Sequence, residues 1–250
     1  MALICSLWLN SCSSQPLPAI ALNLDAASIT RSALEELNEL YQQERPHIVL
    51  YPTFASAGTV QAAIERGEPF DGVLLAEAPP LERLQARGLI VPESKQQLAT
   101  TDLVVIAAAN SPVQLSNVRE LASDRIKTVA MGNPSLAVGR YARDLLAQLG
   151  IREAVESKAV LATANVGEIL KAIEWGEAEV GITYLPEALS SPNAKVLATA
   201  PKNQYKTIQV GAAIVKTSPH PQEMQAYLDF LNSDRALQIF QKFGFRRPSR

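Results

Sequence analysis

The stretch ANVGEILKAIEWGEAEVGITYLPEA, residues 164–188, decides the fold. It opens on a turn and runs as a helix from Asn165 to Gly176, a residue suited to the left-handed position that closes a helix. An apolar strand follows at Val180–Thr183, and GITYLPEA, residues 181–188, turns straight into another helix. Helix, strand and helix in close succession are the unit of an α/β architecture. The same alternation extends in both directions. Strands are expected at 20–24, 47–51, 72–76, 103–109, 127–131 and 209–215. Helices are expected from Ser28, with Leu34, Leu37 and Tyr41 on one face, at Thr59 to Arg66, from Pro79 to Gly88, from Val138 to Gly150, and at 221–231 and 234–242.

Five segments share one feature, a turn that feeds a helix: DAASIT at 25–30, FASAGT at 54–59, NPSLAVGRYA at 133–142, ANVGEI at 164–169 and GITYLPEA at 181–188. A helix N-terminus presents unpaired backbone N–H groups and the positive end of the macrodipole. Several converging on one point can hold an anion without Lys or Arg. That arrangement points to binding rather than catalysis.

Composition narrows the classes. The chain has 250 residues, 47% hydrophobic and 19% charged, enough for a full core and longer than the commonest single domain, so two lobes are expected. A net charge of −2 supplies no basic field for a nucleic acid backbone. No apolar run has the length that spans a bilayer, and no repeat appears. His47 and His220 are far apart and each lies beside a proline, which disfavours a histidine triad or metal cluster. Glu35-Glu36 and the Glu174–Glu179 stretch read as surface charge, and there is no P-loop, GxGxxG or HExxH, so no enzyme is expected.

Both cysteines, Cys5 and Cys12, fall in the first dozen residues, leaving the folded part without a disulfide or a thiolate metal site. MALICSLWLNSC is apolar and ends Leu9-Asn10-Ser11-Cys12, which resembles the lipobox of a bacterial lipoprotein signal, with SSQPLP as a tether. Residues 1–19 are therefore assigned to a signal-like segment, although the basic start of a secretory signal is missing.

The order AASIT–helix, FASAGT–helix, FDGVLLAEA, DLVVIAAANSP, NPSLAVGRYARDLLAQLG, ANVGEILKAIEWGEAEVGITYLPEA and FLNSDRALQIFQKFGF resembles the periplasmic molybdate-binding proteins of ABC importers across the chain after residue 19. The resemblance implies a type II periplasmic binding protein fold: two α/β lobes joined by a two-segment hinge, with the ligand in the cleft. Crossings near residues 98 and 208 would put 20–98 plus 208–250 in the first lobe and 99–207 in the second. It also implies a molybdate or tungstate oxyanion held by neutral donors. Ser28 matches the family's first serine, Val138 and Val166 its backbone donors, and Tyr184 its tyrosine. The second serine falls on Ala57, where only the backbone N–H remains, and Ser56 beside it is expected to point elsewhere. NPSLAVGR is one residue short of the usual third loop and lacks its proline, and Leu185-Pro186 replaces the commoner small or basic residue.

Taken singly, each of these residues has a plainer reading. Ser28 is an N-cap, Gly58 a turn glycine, Val138 and Val166 core residues, and Tyr184 a half-buried aromatic. Arg140, in a first helical turn, is unfavourably placed for the dipole, which raises the prospect of a ligand or an acidic partner. Jointly they imply an extracytoplasmic receptor, monomeric, in the periplasm or at the outer face of the membrane, passing its oxyanion to importer membrane subunits. It would touch the membrane only through a lipid on Cys12. The alternatives are the same fold holding another anion or a small organic solute, as Ala57 suggests, or a sensing module without transport. The lack of a helix-turn-helix disfavours the last.

Overall fold

The computed structural model describes residues 18–162 and 165–248, so the expectations for the signal-like segment and Cys12 lie outside the described residues, as does Ala164. In chain order the elements are β1 (Ile20–Ala27), a 3-10 turn (Ser28–Thr30), α1 (Arg31–Glu44), β2 (Ile48–Ala55), α2 (Ala57–Glu65), β3 (Gly72–Leu75), α3 (Ala78–Ala86) and β4 (Gln96–Thr101). There follow β5 (Leu103–Ala108), β6 (Val129–Gly132), α4 (Ala137–Gln148), α5 (Arg152–Glu156), β7 (Ala159–Ala162), α6 (Gly167–Glu174), β8 (Val180–Tyr184) and α7 (Leu185–Leu189). The chain ends with β9 (Ala194–Thr199), β10 (Ile208–Ile214), α8 (Pro221–Leu231) and α9 (Asp234–Lys242).

The strands form two five-stranded sheets, β2-β1-β3-β10-β4 and β7-β6-β8-β5-β9. Each has parallel pairing at its βαβ units and antiparallel pairing where β10 or β5 runs back through it. β3, β6 and β8 are buried along their whole length, as expected of strands covered by helices on both faces. Pro52 lies in β2, an edge strand, where a missing ladder donor is tolerated.

Several elements differ from the sequence expectation. α2 begins at Ala57 rather than Thr59, because Ser56 takes the N-cap position. β4, β7 and β9 were not anticipated; β4 contains Gln and Thr, and β9 is only half-buried, so neither forms a continuous apolar run. β4 pairs with β10 as far as Thr101, and the chain then enters the second sheet through Asp102, a few residues beyond the crossing expected near 98. It returns between Thr199 and Ile208.

Asp102 ties these passages together. The Arg246 guanidinium donates to both of its carboxylate oxygens, and the Tyr205 hydroxyl donates to Oδ1 at 3.2 Å. The Leu103 N–H donates to the Tyr205 oxygen at 3.3 Å. Thr100 and Arg246 exchange both backbone hydrogen bonds at 2.8 Å. Burial and the adjoining Asp102 charge push the Tyr205 hydroxyl up to about 12, so it stays a neutral donor.

Candidate functional site

Strand ends in both sheets lead the chain into turns that face one another between the sheets. Where β1 ends, Ala27 occupies the N-cap position and makes no side-chain cap bond, while the Thr30 hydroxyl donates back to the Ala27 carbonyl at 2.7 Å. Ser28 is therefore not the cap, and its hydroxyl has no hydrogen-bond partner among the described residues. At the start of α2 the Ser56 oxygen accepts from the Thr59 N–H at 3.3 Å and lies 2.9 Å from the Thr59 hydroxyl. Ser56 and Thr59 thus engage each other, leaving Ala57 to present the first N–H of the helix.

The approach to α4 is tighter. Asn133 Oδ1 accepts from the Ser135 N–H at 2.9 Å and from its hydroxyl at 2.5 Å, and the Leu136 N–H donates to the Asn133 carbonyl at 3.1 Å. A Cβ on Gly139 would stand 2.0 Å from the Asn133 oxygen and 2.4 Å from the Gly132 oxygen, so only glycine lets the helix start close against the end of β6. The first N–H groups of α4, including that of Val138, are left without intrahelical acceptors. Val166 is the N-cap residue of α6, its carbonyl accepting from the Ile169 N–H at 3.1 Å.

Tyr184 closes the set. It ends β8, and the next N–H, Leu185, donates to the Asp102 carbonyl at 2.9 Å. Its ring packs edge-on to Tyr141, with centroids 6.4 Å apart. The side chain is only 2% exposed, yet its hydroxyl has no hydrogen-bond partner among the described residues. Burial pushes that hydroxyl well above the ordinary tyrosine range and keeps it protonated.

Ser28, Ala57, Val138, Val166 and Tyr184 line a single cavity of about 40 Å³, and none of the residues lining it is charged. One water occupies roughly 10–15 Å³ of such space, so the volume suits an ion of a few heavy atoms rather than a sugar or peptide. Ser56 also lines the cavity, although its hydroxyl is committed to capping α2.

Charge begins just outside. Arg140, on α4, donates from Nη2 to both oxygens of Glu77 at 2.7 Å, and from Nη1 to the carbonyls of Ser135 at 2.7 Å and Pro134 at 3.2 Å. Glu77 follows β3 in the N-cap position of α3. The unfavourable placement of Arg140 is thus offset by an acidic partner on the other sheet's side. The sequence pointed to no role for Glu77, Asp102 or Glu187. No periodicity relates them to partners so far away in the chain.

The bacterial extracellular solute-binding protein family matches residues 22–246. Bacillus subtilis YvgL, provisionally named an ABC transporter substrate-binding lipoprotein, is 26% identical over 237 residues, 94% of this chain and 90% of its own. The molybdate-binding protein ModA of Haemophilus influenzae is 28% identical over 224 residues, covering 88% of this chain and 87% of its own. In fold, the chain is similar to the Azotobacter vinelandii periplasmic molybdate-binding protein, with a TM-score of 0.81 at 23% identity over 91% of this chain and 100% of that one.

Proposed function

The chain belongs to the bacterial extracellular solute-binding proteins, and on that premise we propose that it captures molybdate or tungstate between its two sheets and delivers it to the membrane subunits of an ABC importer. The observation that carries the ligand class is the Tyr184 hydroxyl, buried, protonated and without a partner among the described residues at the wall of a small uncharged cavity. A buried polar group left unpaired costs about 1–3 kcal/mol, a cost that a ligand oxygen removes. The Ser28 hydroxyl and the helix-start N–H groups of Ala57, Val138 and Val166 supply further donors, and an acceptor-only dianion matches a set made of donors.

Neutral donors also fit a carrier. They hold the anion by fixed dipoles without an ion pair that would slow its release. The names of ModA and YvgL agree with this reading. We place the protein, as a monomer, in the periplasm or at the outer face of the membrane, tethered through a lipid on Cys12. A panel of oxyanions in a thermal-shift assay tests the ligand. Saturation at 100 times the dissociation constant stabilises a protein by about 2.7 kcal/mol, so micromolar molybdate and tungstate should raise Tm while sulfate and phosphate do not. An equal rise with sulfate would favour the second reading, another oxyanion in a site that has lost a hydroxyl at Ala57.

A further inference from the structure

Glu187 stands at the third position of α7, on the second sheet's side of the cleft. It lines a larger space at the cleft mouth with Arg31, Ser32 and Thr59 from the opposite side, and that space shares Ser28, Ser56 and Asn165 with the small cavity. α7 packs against the Ser28–Thr30 turn, so the carboxyl, partly exposed, lies at the mouth where the two sides meet. It receives no hydrogen bond among the described residues, and Oε1 would lie 3.3 Å from a Cβ on Gly167.

We propose that closing the cleft over its ligand takes up a proton at Glu187, which couples capture to the external pH. This rests on the oxyanion reading for its ligand. Apart from the closed cleft, the carboxyl would be hydrated and titrate near its ordinary 4.5, whereas burial pushes it up to about 7 and the Arg31 charge pulls the other way. Arg31 is shared: it lies 3.7 Å from Glu35 and 4.2 Å over the Phe54 ring. The other charged or titratable groups on elements packed against α7 are Glu168, Lys171 and Glu174 on α6, Lys195 on β9 and Tyr184 on β8. Glu174 accepts from Ser191, and Lys195 donates to the Ser111 carbonyl. In the C-terminal segment against Leu185, Lys242 binds Glu36 and Arg246 binds Asp102. Of these charges, that of Arg31 is the one that bears on Glu187.

The sign follows from linkage. The closed form holds the proton more tightly, so closing is unpenalised below about 4.5, grows harder as pH rises and levels off above about 7. An ionised Glu187 would also repel an arriving dianion, in the same direction. Between pH 6 and pH 8, molybdate affinity should fall about tenfold, with net proton uptake near pH 6. Calorimetric titration with micromolar molybdate, in two buffers of different ionisation enthalpy, reads both quantities.

Glu187→Gln should keep the wild-type Tm, bind with the same affinity at pH 6 and pH 8 and more tightly than the wild type at either, and take up no proton. A pH-independent wild-type affinity, or proton uptake that persists in Glu187→Gln, overturns the proposal. If neither molybdate nor tungstate gives heat at any pH, the oxyanion reading falls instead. Small-angle scattering of the ligand-free chain then decides Glu187. A smaller radius of gyration at pH 5.5 than at pH 8.5, with the pH dependence lost in Glu187→Gln, supports it, and an unchanged radius overturns it.

Discussion

Arg140 Nη2 lies 2.7 Å from each carboxylate oxygen of Glu77, and this one pair joins the start of α3 beside the first sheet to the first turns of α4 beside the second. Glu77 is buried, whereas the Arg140 side chain is 47% exposed, so the pair is partly screened. It spans the cleft between the two sheets' sides. Glu77→Gln and Arg140→Ala should each weaken ligand binding about three- to tenfold, and the double variant little more than either alone, because both remove one interaction. Calorimetry on the four proteins checks this. Full additivity would show that the two residues act separately.

Tyr184→Phe separates binding from stability. The hydroxyl has no protein partner among the described residues, so removing it should leave Tm unchanged or slightly raised. The same change should weaken molybdate binding about 10- to 100-fold through loss of a hydrogen bond to a charged ligand. A large fall in Tm would mean that the hydroxyl already satisfies a structural bond.

Ala57→Ser adds a hydroxyl at the first position of α2, facing the cavity, where Ser56 and Thr59 are occupied with each other. Binding should tighten by up to about 1.5–3 kcal/mol if the new oxygen reaches the anion. Unchanged or weaker affinity by calorimetry would indicate a site adapted to alanine.

Two glycines at helix starts should behave oppositely. Gly139→Ala forces a Cβ to within 2.0 Å of a backbone oxygen and should cost about 1–3 kcal/mol, lowering Tm by several degrees and disturbing the donors at Val138. Gly58→Ala meets nothing within 4 Å and should leave the ligand-free Tm unchanged or raised, helix propensity favouring alanine by about 1 kcal/mol. Thermal melts of both variants test the contrast.

From its sequence alone, this protein's α/β class, most of its strands and helices, and its turn-to-helix segments could be read, because periodicity and helix-ending glycines such as Gly150 and Gly176 are local signals. Ser28, Ala57, Val138, Val166 and Tyr184 were brought together as a set only by the family resemblance that the order of their motifs carries; singly, each looked like a cap or a core residue. Tertiary structure decided the rest. Only the packed sheets show that Ala27 rather than Ser28 takes the N-cap position, that the Tyr184 hydroxyl is left unpaired, and that the cavity is small and uncharged. Glu77, Asp102 and Glu187 acquire their roles from partners or surroundings that folding brings from distant parts of the chain, 63 residues away for Arg140 on Glu77 and 144 for Arg246 on Asp102. The physical reason is that capping and periodicity act within a few residues, whereas ion pairing and desolvation depend on distance in space.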